Sequence, residues 1–222
     1  MDTGTRISLE LAHIWRKITG RRRRARRAAK RSFADALARL GPGDVAIDLG
    51  ANAGEFTVPM AQTGAEVHAF EPDPHAMTRL RAAVAGKRNV TLHDAAAGGQ
   101  AGVFRLYRSV SFDRDPDRQS KSSSLLAEKR NVSTGDAIEV QVVDFVAFLE
   151  RLDRDVALIK MDIEGAEVEL LEALMASPLR SRVGRIFVET DGRGLPRLAG
   201  RIAALKARAA GMTRPQINWD WH

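Results

Sequence analysis

The chain has no cysteine among its 222 residues. That removes disulfides, thiolate metal sites and any cysteine nucleophile, and it suits a reducing compartment. The expected location is the cytoplasm. Aromatic residues are only 5%, which leaves few platforms for stacking nucleic-acid bases. Apolar runs stop after a few residues, so no segment is long enough to span a bilayer. A signal peptide places charge before its apolar core. Here the mildly apolar stretch Ile7–Ile18 precedes the arginines, which argues against secretion. Acid is absent from residues 21–31 (RRRRARRAAKR), which carry eight basic side chains. The whole chain sums to +7, so everything outside that run sums to −1. The basic character belongs to one segment.

Residues 1–40 form a basic helical leader. Ile7, Leu11, Ile14, Trp15 and Ile18 recur at helical spacing, and Phe33, Ala36, Leu37 and Leu40 form a second stripe. Gly41-Pro42-Gly43 breaks the pattern and marks the expected boundary of a domain over 41–222. A basic segment beside an amphipathic one suits docking on an anionic membrane surface through residues 1–31, peripheral rather than spanning. Packing on its own domain, or on a twin subunit in a homodimer, competes with that reading. In each case the leader is expected to lie outside the active site.

Beyond the break, strand-like and helix-like pieces alternate. Strands are expected at Val45–Asp48, Glu66–Phe70, Val90–His93, Val156–Met161 and Arg185–Glu189, with helices near 55–63, 74–85, 144–152, 165–176 and 196–210. Asp73 is a good N-cap with Pro74 at the first helical position, and Gly86 can stop that helix. Pro59 is tolerable within the first turn of its helix. This rhythm predicts an α/β fold with a doubly wound, mostly parallel sheet whose ligands bind at the carboxyl ends of the strands. Val103–Tyr107 and Ile138–Val143 look like extra strands around a polar loop, 108–137, which is expected to act as a lid. A last strand is expected within Gln216–Trp221.

The first strand runs through Asp48 into Gly50-Ala51-Asn52-Ala53-Gly54. A dinucleotide turn needs a middle glycine for its pyrophosphate, and Asn52 stands in that place. An acid before the turn repels phosphate and suits a cation such as S-adenosylmethionine, which has an ammonium, a sulfonium and no phosphate. Glu71, followed by Pro72, lies 21 residues after Gly50, the spacing of an acid that accepts from ribose hydroxyls. Asp94, followed by Ala95, is placed to meet an adenine amino group, though a helix cap explains it equally. All five strands end near an acid: Asp48, Glu71, Asp94, Asp162 and Glu189. Together they predict an acidic rim.

Lys160-Met161-Asp162-Ile163-Glu164-Gly165-Ala166-Glu167 leaves the fourth strand. Lys160 and Asp162 share one strand face, and a lysine in a central strand needs either a carboxylate partner or a catalytic task. At this point the sequence resembles the FkbM family of methyltransferases, through DLGANAGEFT (48–57), AFEPDP (69–74), Ser-Ser-Leu (123–125), VVDF (142–145) and LIKMDIEGAEVELLEAL (158–174). The resemblance covers about residues 43–191. It implies a class I methyltransferase fold (Rossmann-like) and S-adenosyl-L-methionine as methyl donor. The implied acceptor is a hydroxyl of a small molecule, sugar or lipid-linked glycan. By position it implies that Asp48, Gly50, Asn52 and Gly54 form the cofactor turn, Glu71 the ribose ligand, Asp94-Ala95 the adenine edge and Asp162 the residue beside the reacting centre.

Methyl transfer to a hydroxyl needs alignment and a proton acceptor. Asp162, Glu164 and His93 are the candidate bases, and Lys160 can steady a developing alkoxide. Asp162, Glu189 and Asp191 are oxygen ligands of the kind Mg²⁺ takes, a minor alternative. A nucleic-acid methyltransferase using the arginine run as an arm is the rival enzyme, and a non-catalytic adapter is the rival of both.

Overall fold

The computed structural model describes residues 21–120, 123–128, 132–190 and 196–221. Its strands are β1 (Val45–Leu49), β2 (Glu66–Phe70), β3 (Val90–His93), β4 (Ala96–Gly98), β5 (Gly102–Ser109), β6 (Val132–Asp144), β7 (Val156–Met161), β8 (Val183–Val188) and β9 (Gln216–Asn218). Six of them form a parallel sheet in the order β3-β2-β1-β7-β8-β9. The order reverses between β1 and β7, the switch point where doubly wound sheets open a crevice at their carboxyl ends. A smaller sheet, β4-β6-β5, is antiparallel between β5 and β6 and parallel between β4 and β6.

The helices are α1 (Arg21–Leu37), α2 (Thr57–Gln62), α3 (Pro74–Ala83), α4 (Pro116–Gln119), α5 (Phe145–Leu152), α6 (Glu167–Ala176) and α7 (Ala199–Ala210). Strand alternation divides the core in two. Val45, Ile47 and Leu49 pack with Phe145, Leu149, Leu170, Leu174 and Ile202, so α5, α6 and α7 cover one face. Ala46, Val67, Leu158 and Phe187 point the other way and meet Met60 of α2 and Ala29, Phe33 and Ala36 of α1. Asp73 caps α3 through the backbone N–H groups of His75 and Ala76, with Pro74 at the first position. Pro59 lies in the first turn of α2, where no N–H is needed.

Three expectations change. The chain does turn at Gly41–Gly43, yet α1 shares a core with the residues beyond it and is not a separate leader up to residue 40. The stripe at 7–18 lies outside the described residues. β6 begins at Val132 rather than Ile138 because it pairs with β5 as far as Ser109, so the polar excursion shrinks to about 110–131. The terminal strand β9 covers only Gln216–Asn218, and Trp221 beyond it is buried. Among the described residues, no helix is long and apolar enough to cross a membrane.

Phe33 is the anchor of α1. Its ring lies 5.4 Å from Phe56, 5.1 Å from Phe187 and 4.6 Å from Trp221. Phe33→Ala is expected to destabilise the fold by about 3–5 kcal/mol in urea unfolding. A loss under about 0.5 kcal/mol would mean that the helix contributes no core.

Candidate active site

The register of the central strands places Asp48 of β1 directly beside Lys160 of β7. Both are buried, at 0% and 2% exposure. Lys160 Nζ lies 3.3 Å from Asp48 Oδ1, an ion pair not aligned as a hydrogen bond, and donates to the Gly50 carbonyl at 2.7 Å. Thr57 Oγ1 donates to the other Asp48 oxygen at 2.7 Å. Burial pushes the Lys160 amine toward neutrality, but Asp48, Asp162 and Glu71 outweigh it and hold its pKa above the ordinary value. Lys160 is therefore a fixed cation and not a base.

The turn after β1 is folded tightly against β2. Asn52 adopts a left-handed backbone (φ 47°), and its N–H donates to Glu71 Oε2 at 2.7 Å. The Asp73 N–H donates to Glu71 Oε1 at 2.8 Å. Glu71 is 6% exposed and lies on the wall of a cleft. Burial raises its pKa to about 7 despite the two backbone donors. Gly50 has φ 76°, and a Cβ there would fall 1.9 Å from the Asp162 carbonyl oxygen. The glycine serves the contact between the two strand ends, rather than close approach to a phosphate.

The turn after β7 faces the first one across the cleft. The Asp162 N–H donates to the Leu49 carbonyl at 3.0 Å, and the half-buried Asp162 lines the cleft floor. Glu164 (φ 55°) and Gly165 (φ 116°) are both left-handed. Glu167 holds that turn by accepting from the N–H groups of Ile163 at 2.9 Å and Gly165 at 2.7 Å. Its role is to position Glu164, and burial raises its pKa to about 7. Over the cleft lies the excursion between β5 and β6, which contributes Ser120, Ser123 and Leu125. Asn52 Nδ2 donates to Ser120 Oγ at 3.0 Å, and Ser124 Oγ donates to the Glu164 carbonyl at 2.6 Å.

The cleft thus gathers Gly50, Ala51, Asn52, Glu71, Pro72, Lys160, Asp162 and Glu164 of the expected residues. Four others sit elsewhere. Asp48 is buried beneath the floor and neutralised by Lys160. Asp94 points to solvent, where it bonds Arg81, and Ala95 lies behind Ala96 and Ala97, which do line the cleft. Gly54 (φ 89°) packs against Leu80 of α3.

His93 is also away from the cleft. Its ring stacks on Phe70 with centroids 4.1 Å apart, and its Nε2 lies 3.1 Å from His68 Nδ1. Burial, with the neighbouring His68, lowers its pKa to about 4. It is a packing residue, so the candidate bases reduce to Asp162 and Glu164. Of the acidic rim, only Glu71 and Asp162 reach the cleft; Glu189 continues β8 with its N–H on the Met161 carbonyl. Sequence reasoning missed Glu55, Phe56, Leu106 and Ser120, which also line the cleft. The DLGANAGEFT motif itself spans Glu55 and Phe56, and their place next to it was the signal available. Among the described residues no cluster is suited to a metal ion, and Asp191 lies outside them.

The sheet order and the cleft define a Rossmann-like α/β protein with its ligand site at the switch point. The sequence profile of the methyltransferase FkbM domain matches residues 48–205, and the chain belongs to that methyltransferase family. No curated protein matches it. Among solved structures it is similar to precorrin-6y C5,15-methyltransferase from Geobacter metallireducens GS-15, with 16% identity and a TM-score of 0.41. That likeness covers 79% of this chain and 68% of the other.

Glu71 and Glu167 couple the site to pH. Each carboxyl rises from an ordinary 4.5 to about 7 on folding, so the folded state holds more protons across that window. Their contribution to stability is full below about pH 4.5 and is lost as pH rises through about 7. His68 and His93, both lowered by burial, act with the opposite sign at acid pH. The informative quantity is the difference between wild type and Glu71→Gln/Glu167→Gln. The wild type is expected to lose stability relative to the variant as pH rises from about 4.5 to 7. A pH-independent difference would remove both carboxyls from the explanation.

Proposed function

We propose that this methyltransferase uses S-adenosylmethionine to methylate a hydroxyl oxygen of a small molecule, sugar or lipid-linked glycan. The observation that carries the reading is Glu71, a buried carboxylate on the cleft wall next to a glycine turn. Its oxygens are fixed by two backbone N–H groups and keep further lone pairs for ribose hydroxyls. The rest of the lining agrees. Glu55, Glu71, Asp162 and Glu164 face one lysine, and that lysine is committed to Asp48. Among the described residues the cleft has little to offer a phosphate and much to offer an ammonium or a sulfonium.

Bound there, S-adenosylmethionine supplies an electrophilic methyl group. Glu71 and the Asn52 turn would hold its ribose, and Ala96 and Ala97 form an apolar wall suited to a base. Asp162 or Glu164 takes the proton from the acceptor hydroxyl, since these two carboxylates face the cleft. Lys160, held cationic, keeps Asp48 neutralised and fixes the Gly50 carbonyl. Ser120, Ser123 and Leu125 cover the cleft and help to exclude water from it.

Glu71→Ala is expected to weaken S-adenosylmethionine binding by about 1.5–3 kcal/mol in calorimetry; unchanged affinity would take Glu71 out of the site. For the chemistry, Asp162→Asn and Glu164→Gln are compared at saturating cofactor. The variant lacking the proton acceptor should lose on the order of 10²–10⁴ in kcat. If neither variant slows turnover, neither carboxylate accepts the proton.

A further inference from the structure

We propose that α1 is a docking arm that holds the protein on a bilayer surface bearing anionic lipid headgroups. Its first eleven residues carry eight basic side chains and no acid. Ala29, Phe33 and Ala36, spaced four and three apart, form the buried face that seats the helix. The seat ends at Ala29. Arg24, Arg26, Arg27 and Ala28 are exposed, although a turn of 3.6 residues points them in different directions about the axis. That end of the helix projects past the body, with Lys30 and Arg31 exposed beside the seat.

A cluster of four to eight basic residues is what an anionic leaflet attracts. The sequence just before the helix, outside the described residues, adds the apolar stripe with Trp15, a composition suited to an interface. Nucleic acid is the poorer fit. Phe33 and Trp221 are buried in the seat and cannot stack on bases, and the cleft is lined by four carboxylates that repel phosphodiesters. The arm is also joined to the site. Phe33 packs edge-on against Phe56, and Phe56 lines the cleft. A surface held by the arginines therefore has a defined position relative to the cleft.

The experiment is sedimentation of the full chain with phosphatidylcholine vesicles, alone or with about one-third phosphatidylglycerol. Binding is expected only to the anionic vesicles. The variant Arg24→Gln/Arg26→Gln/Arg27→Gln, which leaves the seat intact, should bind on the order of a hundredfold more weakly with an unchanged unfolding transition. Equal binding to both vesicle types, or undiminished binding by the variant, would overturn the proposal. So would tighter binding to duplex DNA or RNA than to anionic vesicles at the same salt. Because sedimentation involves neither methyl donor nor acceptor, its failure is distinguishable from failure of the methyl-transfer reading.

Discussion

The buried pair of Asp48 and Lys160 is the constraint around which the site is built. Two charges in the middle of a parallel sheet are costly, and removing either partner strands the other at about 3–5 kcal/mol. The arrangement persists because each group has further partners. Asp48 accepts from Thr57, Lys160 donates to Gly50, and Lys160 stands 5.3 Å over the Phe56 ring. Those partners lie in or beside the turn after β1. The pair therefore draws that turn against the end of β7, where Gly50 has room for no side chain. A sheet with apolar residues at both positions would be easier to bury but would not tie the two turns together.

Once the strand ends are tied, the backbone between them is strained in two places. Asn52 and Glu164 both lie in the left-handed region that costs an ordinary residue about 1–2 kcal/mol. Each is held there by a buried carboxylate: Glu71 grips the Asn52 N–H, and Glu167 grips the N–H groups on either side of Glu164. The cover reaches these same two residues, through Ser120 to Asn52 and through Ser124 to Glu164. Strain, carboxylate and cover thus converge on both sides of one cleft, as expected where a site is preorganised by its surroundings.

Much of this was legible from residue patterns. The strands at 66–70, 90–93 and 156–161 stand where apolar spacing placed them, because they are central or near-central and their burial writes itself into the sequence. β4 was not legible. Ala96–Gly98 has no periodicity of its own and is a strand only through its pairing with β6. Asp48 was misplaced for a related reason. The sequence shows one acid near a turn and one lysine in a strand, but only the register between β1 and β7 makes them neighbours. His93 ends its strand near acids, as a base would, yet its register with Phe70 gives it a ring to stack on and turns it from the cleft. Site residues carried by their own turn were recoverable; those decided by strand pairing were not.

The separation of charge follows from the same architecture. Carboxylates gathered at the cleft favour a cationic ligand, and arginines there would compete for them. The basic residues are placed instead on a helix whose free end projects from the body, and about a Debye length of salt solution, roughly 8 Å, screens exposed charges from each other. The mechanical link is apolar and so is not screened. Phe56 has the Lys160 ammonium over its ring and the edge contact of Phe33 beside it. One aromatic side chain thereby joins the floor of the cleft to the seat of the basic helix. The two charged surfaces are insulated electrically while remaining parts of one rigid core.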